Sequence, residues 1–135
     1  MILGFTGTRH GMSPVQIQEF KRLIKRLALN HSIEGFHHGD CLGADAQAHD
    51  WIIRYLPRCP VYIHPSNMGN LRAYRRGTYI YLPAAPLVRN RRIVDQCTFL
   101  VACPNTREEE EVRSGTWATV RYARKVNRPL RIVLP

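Results

Sequence analysis

The sequence has no apolar run that approaches the roughly 20 residues that a membrane-spanning helix needs. Met1 leads straight into an apolar, strand-like segment, without the pattern of a signal peptide. No two of the four cysteines have C-x-x-C spacing, and no second ligand pair accompanies His37, His38 and Cys41. We therefore expect a cytoplasmic protein outside the membrane, with no metal, no cofactor and no disulfides.

Acidic residues are missing from one long stretch of a chain whose net charge is +10. Between Asp50 and Asp95 there is none, whereas eight arginines fall there: Arg54, Arg58, Arg72, Arg75, Arg76, Arg89, Arg91 and Arg92. Arginine is the side chain best suited to fork onto a phosphate, and tyrosines interleave at positions 74, 79 and 81. Three interpretations stay open: a solvated basic face, a nucleic-acid surface, or a site for a small phosphorylated ligand.

Strand and helix patterns alternate along the 135 residues, a length that fits one domain spanning the chain. Short apolar runs predict strands at 2–5, 33–38, 61–64, 98–103 and 130–134. Apolar spacing and the capping pattern Ser13-Pro14-Val15-Gln16 predict helices at about 13–29, 44–55, 87–96 and 115–126. The expected fold is α/β: a Rossmann-like three-layer sandwich of about five parallel strands flanked by helices.

Small-residue turns follow three of the predicted strands. In an open parallel sheet, ligands bind beyond the carboxyl ends of the strands, where the strand order reverses. Strands 2–5 and 98–103 are the expected neighbours at that reversal, so their turns face a single ligand. The turn residues are Gly7, Thr8 and Arg9, then Gly39, Asp40, Gly43 and Asp45, then Ser114, Gly115 and Thr116. Each turn alone also fits a tight strand-to-helix connection, whereas the three together favour a ligand site.

The chemistry of these turns suits a phosphate. The first N–H groups of the helix that follows Ser114 have no internal partner, and the helix dipole is positive there. The hydroxyls of Thr8 and Thr116 can donate to phosphate oxygens, and Arg9 and Arg89 can pair with them bidentately. These residues are therefore predicted to bind the ligand.

Several other side chains have two interpretations each. Asp45 either accepts from ribose hydroxyls or is a first-turn charge favoured by the helix dipole. Asn90 either bonds a base edge or braces its loop. We interpret Trp117 as core rather than as a stacking platform. His37 and His38 alternate across a strand, so we assign them to core or sheet packing.

The ordered motifs resemble those of the SLOG superfamily, a Rossmann-like group that includes the DNA-processing protein Smf/DprA and the LOG phosphoribohydrolases. The likeness is strongest to the small, stand-alone members of bacteria and phages. The matching residues are Gly7-Thr8-Arg9, His38-Gly39-Asp40-Cys41-Leu42-Gly43-Ala44-Asp45, Arg89-Asn90 and Ser114-Gly115-Thr116-Trp117. The resemblance implies a phosphate near 7–9 and 114–116, and a ribose or base near 39–45 and 89–90. It also implies a homodimer or tetramer.

The residues around these motifs depart from the LOG pattern, in which a glutamate closely follows the glycine-rich turn and an Arg-Lys pair precedes it. Here Trp117-Ala118-Thr119-Val120 holds no acid, and Arg89-Asn90-Arg91 holds no lysine. The first hypothesis is therefore a binding protein for a nucleotide or nucleotide-derived signal, acting as a sensor, carrier or sequestering protein. The second is an N-glycoside hydrolase that releases the base from a nucleoside monophosphate, with Asp45 as the candidate catalytic residue. The third is single-stranded DNA binding, as in Smf/DprA.

Two segments lie outside the motifs. Residues 65–86 are irregular and long for a loop in a compact domain, which is typical of a lid or of an oligomer contact. The acidic run at 108–111 is a solvated loop, a segment that closes over the site, or a group of charges that offsets the basic face.

Overall fold

The computed structural model describes residues 1–112 and 114–135. Over these residues the chain forms six strands: β1 (Ile2–Gly7), β2 (Gly35–His38), β3 (Val61–Ile63), β4 (Tyr79–Ile80), β5 (Phe99–Cys103) and β6 (Leu130–Ile132). Its four α-helices are α1 (Pro14–Asn30), α2 (Ala44–Tyr55), α3 (Pro86–Gln96) and α4 (Gly115–Lys125). All strand pairs are parallel, which confirms the predicted α/β class.

The sheet order is β4-β3-β2-β1-β5-β6. Strands β2 to β4 are added on one side of β1 and strands β5 and β6 on the other, so the strand order reverses at β1. β1 pairs with β2, where Leu3 lies opposite Phe36, and with β5, where Phe5 lies opposite Val101. The predicted neighbours at the reversal, 2–5 and 98–103, are therefore confirmed. The carboxyl ends of β1 and β5 meet at the point where a parallel sheet of this type offers room for a ligand.

Alternate residues of the central strands pack on opposite layers. On one face, Leu3 and Phe5 of β1 belong to the core that includes Phe20 of α1 and Ile52 of α2. On the other face, Leu100 of β5 packs with α3 and α4. This two-sided burial explains why the central strands are continuous apolar runs rather than alternating ones.

Helix α1 begins as its capping pattern predicts. The Ser13 hydroxyl accepts from the backbone N–H of Gln16, and the Gln16 side chain accepts from the backbone N–H of Ser13. The buried amide of Gln16 also donates to the carbonyls of Pro104 and Val133, at 2.7 and 2.8 Å. One side chain thus caps α1 and ties it to the residues that follow β5 and β6.

The sixth strand differs from the prediction of about five. β4 has only two residues, lies at the edge of the sheet and pairs with β3 alone. Tyr79 and Ile80 are both exposed, so they lack the apolar alternation that marks a half-buried strand. β4 falls within 65–86, and that segment also holds a short 3-10 turn at Gly69–Leu71.

Four histidines form two buried pairs beside the sheet. Nδ1 of His37 lies 2.9 Å from Nε2 of His64, and Nε2 of His38 lies 3.0 Å from Nδ1 of His49. The predicted packing role of His37 and His38 is confirmed. Within residues 1–112 and 114–135, no group of three or more His, Cys, Asp or Glu is arranged to hold a metal. Over the same residues, no helix combines the length and apolarity that a membrane crossing requires.

These histidines make folding sensitive to acid. Burial lowers the pKa of His37 to about 4 and that of His64 to about 3, and it also lowers the pKa values of His38 and His49. At His37, for example, the unfolded chain takes up a proton below the ordinary pKa of 6.5, whereas the folded chain does so only near 4. We expect the free energy of unfolding to fall between pH 7 and pH 4.5, by more than about 1.4 kcal/mol per pH unit.

Urea denaturation across this pH range measures that slope. His49→Gln should flatten the slope, since it removes one buried group that resists protonation. His31→Gln is the matched control, because His31 is exposed, and it should leave the slope unchanged. A free energy of unfolding that stays constant from pH 6.5 to pH 5 would contradict the prediction.

Candidate functional site

A cavity of about 360 Å³ opens at the carboxyl ends of β1 and β5, within the size range of small-molecule sites. Its walls come from the end of β1, the starts of α2, α3 and α4, and the segment 66–71. Nine of the twelve predicted ligand-binding residues line it: Gly7, Thr8, Arg9, Asp45, Arg89, Asn90, Ser114, Gly115 and Thr116. The fold therefore brings together turns that lie more than 100 residues apart in sequence.

The turn after β1 is fixed by backbone hydrogen bonds. The Thr8 N–H donates to the carbonyl of Cys103, and the Thr8 carbonyl accepts from the N–H of Ala44. The Thr8 hydroxyl accepts from the N–H of His10 at 3.1 Å, which leaves its own hydrogen free to donate. Gly7 packs against α2, and Arg9 is exposed at the rim of the cavity. The turn thus presents one oriented hydroxyl and one exposed cation.

The start of α4 presents backbone donors to the same cavity. Ser114 is the N-cap, and its hydroxyl accepts from the N–H of Trp117 at 3.2 Å. The N–H groups of Gly115 and Thr116 have no acceptor within the helix. A Cβ built at Gly115 would approach only Nδ2 of Asn90, at 3.7 Å, so the space above this turn is open. Arg113, which precedes the turn, lies outside the described residues.

Asp45 supplies a buried carboxylate to the wall of the cavity. Its Oδ2 accepts from the N–H of Cys41 at 3.1 Å, whereas Oδ1 has no partner among the described residues. Burial raises the pKa of this carboxyl from 3.8 to about 6, although the nearby Arg89 guanidinium opposes the shift. The cost of burial therefore outweighs the attraction of the cation. Most buried polar atoms in folded proteins have a hydrogen-bond partner, so this oxygen is an exception.

Arg89 is buried, and its hydrogen bonds are made within the protein. Nη1 donates to the carbonyls of Gly39 and His64, at 2.7 and 3.1 Å, and Nη2 donates to Sγ of Cys41 at 3.0 Å. Nε donates to Oδ1 of Asn90. Four of the five N–H groups of a guanidinium are thus in use. Arg89 therefore lacks the two free, adjacent N–H donors that bidentate pairing with a phosphate needs.

Asn90 is oriented by its neighbour. Because Nε of Arg89 can only donate, the amide atom that faces it is the oxygen, and Nδ2 lies on the side of Gly115. The amide therefore offers its N–H groups towards the start of α4. The predicted bracing role and the predicted ligand-facing role are compatible, since they use different atoms of Asn90.

Three predicted ligand residues, Gly39, Asp40 and Gly43, do not line the cavity. A Cβ at Gly39 would lie 2.5 Å from Nη1 of Arg89, so glycine is required for Arg89 to pack here. Gly43 has a φ of +89° and lies against the backbone of Arg9, which again requires glycine. Both positions shape the site without facing it.

The carboxylate of Asp40 is turned towards the segment after β3. It is fully buried, and it accepts from Nε of Arg72 at 2.9 Å and from the N–H of Arg75 at 3.0 Å. Arg75 in turn donates twice to Asp50, at 2.9 and 3.0 Å. Two arginines of the acid-free stretch are thus paired with carboxylates of the protein. The part of the predicted lid around 71–75 is tethered to the turn after β2.

Sequence reasoning missed several residues of the cavity. Five apolar side chains line it: Phe5, Met68, Leu71, Pro86 and Ile93. Thr6, His10, Cys41 and Ser66 complete the wall, and burial raises the pKa of the Cys41 thiol. The predicted lid at 65–86 is the one sequence signal for them, because four lining residues come from it: Ser66, Met68, Leu71 and Pro86. No local pattern marks the others.

The predicted core role of Trp117 is confirmed, since it is 3% exposed and its Nε1 donates to the Thr106 hydroxyl. The acidic run bonds to the exposed side of α4. Glu109 pairs with Arg121 at 3.4 Å and with Arg124 at 2.9 Å. The run therefore offsets basic charge, one of its three interpretations.

No protein-family model matches this chain, and no curated protein matches it significantly. Membership in the SLOG superfamily and the nature of the ligand thus stay predictions. The expectation of a ligand depends on the geometry of the cavity.

We expect Asp45→Asn to stabilise the folded protein at pH 7.5. The folded pKa is raised, so the carboxyl destabilises the fold increasingly as the pH rises from about 4 through about 6. A neutral amide of the same shape avoids this cost. A pKa raised by about two units corresponds to a cost of up to about 3 kcal/mol in the free energy of unfolding. Thermal and urea unfolding measure the gain, which should shrink at pH 5.

Asp50→Asn on the same helix is the control. Asp50 is half exposed and paired with Arg75, so its replacement should lower stability slightly or not at all. A less stable Asp45→Asn protein at pH 7.5 would show that Arg89 depends on the carboxylate charge.

Proposed function

We propose that the cavity binds a nucleotide or a nucleotide-derived ligand through its ribose and its phosphate. One observation carries the proposal: Asp45 lines the cavity, and its Oδ1 atom is buried without a hydrogen-bond partner among the described residues. An unpaired buried acceptor costs about 1–3 kcal/mol, or more when charged. A ribose hydroxyl is a donor of the right kind to remove that cost.

Another part of the cavity wall is suited to a phosphate. The N–H groups at the start of α4 point out of the helix, where the dipole favours negative charge. Thr8 and Thr116 add hydroxyls to this wall, and Arg9 adds a flexible cation at the rim. Arg89 contributes positive potential, although its donors are used within the protein.

The apolar side chains of the cavity give a surface for the base. Met68 and Leu71 from the segment after β3 approach Pro86 and Ile93 of α3 around the same space. Nδ2 of Asn90 supplies a donor beside them. This division into a carboxylate, an anion-binding wall and an apolar surface matches the three parts of a nucleotide.

The same ordered motifs support the proposal that the chain belongs to the SLOG superfamily. A separate observation favours a binding protein for a small ligand over single-stranded DNA binding. Arg72, Arg75 and Arg89 of the acid-free stretch bond to groups within the protein, which leaves fewer cations for a nucleic-acid backbone.

Nucleoside 5′-monophosphates should bind, and Asp45→Asn should weaken them about tenfold or more, because a charge-assisted hydrogen bond becomes a neutral one. Calorimetry with 2′-deoxy and 3′-deoxy analogues identifies the contact. The analogue that lacks the bonded hydroxyl should lose affinity for the wild type, and it should lose less affinity for Asp45→Asn, in which only a neutral hydrogen bond is at stake. If both analogues bind the wild type as ribonucleotides do, the ribose contact is wrong.

Gly115→Ala tests the phosphate wall separately. The fold has room for its Cβ, which would nonetheless enter the space above the α4 start, so we expect normal stability and at least tenfold weaker binding. Gly69→Ala is the control, since Gly69 does not line the cavity and its Cβ would meet only the Tyr74 hydroxyl. Equal affinities for the two variants would contradict a phosphate at α4.

A second candidate function is the N-glycoside hydrolase, and the raised pKa of Asp45 favours it. A carboxyl that titrates near pH 6 is tuned for proton transfer close to neutrality, and its ionised form can stabilise positive charge on a ribose.

The hydrolase predicts release of free base from a nucleoside monophosphate. If the ionised carboxylate acts, the rate should rise between pH 5 and pH 7, through about 6, and Asp45→Asn should abolish it. Chromatography of the products measures free base. Binding without any release of base at pH 7 would leave the binding protein as the function.

A further inference from the structure

A basic groove adjoins the candidate site. It has a volume of about 290 Å³, lies between α3 and α4 and shares Asn90 with the cavity. The charged residues that line it are Arg91, Arg121 and Lys125, and all are cations. The groove is therefore an electropositive continuation of the cavity rather than a separate pocket elsewhere on the surface.

Two of these cations are available to a ligand. Arg91 is exposed and stacks on the Tyr122 ring, with its guanidinium carbon 5.2 Å from the ring centre, which holds the side chain over the groove. Lys125 is exposed and makes no ion pair within the described part of the chain. Arg121 instead donates to Glu109 and to the carbonyls of Glu110 and Glu111.

Asn90 lies where the two spaces meet. Its oxygen is held by Arg89, and its Nδ2 is directed to the side of Gly115. A ligand that leaves the α4 start past this amide enters the groove directly. The groove follows α4 from Ala118 to Lys125, a rise of about 10 Å at 1.5 Å per residue. An anion in the groove is thus well separated from one at Gly115.

This separation selects a class of ligand. We propose, on the basis of the proposed function, that the ligand is a short oligonucleotide of two or more nucleotides. One phosphate lies at the start of α4, and the next lies between Arg91 and Lys125. A nucleoside diphosphate has the same number of phosphates, but they are adjacent and cannot occupy both places. A nucleoside unit between two phosphates separates them further than the single bridging oxygen of a diphosphate does.

The test compares 5′-phosphorylated ribomononucleotides with the corresponding 5′-phosphorylated ribodinucleotides and with nucleoside 5′-diphosphates. For the wild type, we expect the dinucleotide to bind at least tenfold more tightly than either other ligand. The slope of log affinity against log salt should also be steeper for the dinucleotide than for the mononucleotide, by about 0.7 for the additional phosphate contact.

The double variant Arg91→Gln/Lys125→Gln should lose the advantage of the dinucleotide and keep the affinity for the mononucleotide. Arg22→Gln/Lys25→Gln on α1 changes the net charge equally on the other face of the sheet, so it should keep both affinities. Arg91 and Lys125 do not line the first cavity, so the double variant leaves the proposed mononucleotide site intact.

The outcomes separate the two proposals. Equal affinity for mononucleotide and dinucleotide would overturn the groove proposal and leave the mononucleotide site standing. A dinucleotide advantage that persists in Arg91→Gln/Lys125→Gln, or that disappears in the α1 control, would also overturn it. Failure of every nucleotide to bind the wild type would overturn the proposed function and this inference together.

Discussion

The buried guanidinium of Arg89 is the interaction around which the candidate site is organised. It reaches from α3 to the carbonyls of Gly39 and His64, which follow β2 and β3. Removal of this side chain would leave two buried carbonyl oxygens without a donor. The glycine at position 39 is there because no side chain fits beside the guanidinium. The charge of Arg89 also opposes the cost of burying Asp45, although it does not cancel that cost.

The sequence predicts the local parts of this fold well. The capping box at Ser13 and Gln16 marks the start of α1 because both partners lie within three residues of each other. The turns at Gly7 and Ser114 are short patterns next to apolar runs, and they lead to the correct edge of the sheet. Signals of this kind depend only on neighbouring residues, so the sequence contains them directly.

Long-range partners set the limit of that prediction. The carboxylate of Asp40 resembles a ligand residue in a polar turn, but its partner is Arg72, 32 residues further along the chain. Arg89 has the chemistry of a phosphate-binding residue, but the fold surrounds it with acceptors from two other segments, the turn after β2 and the end of β3. β4 is too short and too exposed to have a pattern of its own. In each case the tertiary structure, rather than residue type, decides the role.

The tether between Asp40 and the segment 71–75 has a consequence for how fast and how tightly a ligand binds. Two hydrogen bonds to Asp40 and two from Arg75 to Asp50 hold this segment, so the adjoining wall at Leu71 is already formed in the free protein. Ordering a flexible residue on binding costs about 1–2 kcal/mol of conformational entropy. A preorganised wall avoids that loss, and association then depends on diffusion into the opening rather than on the folding of a loop.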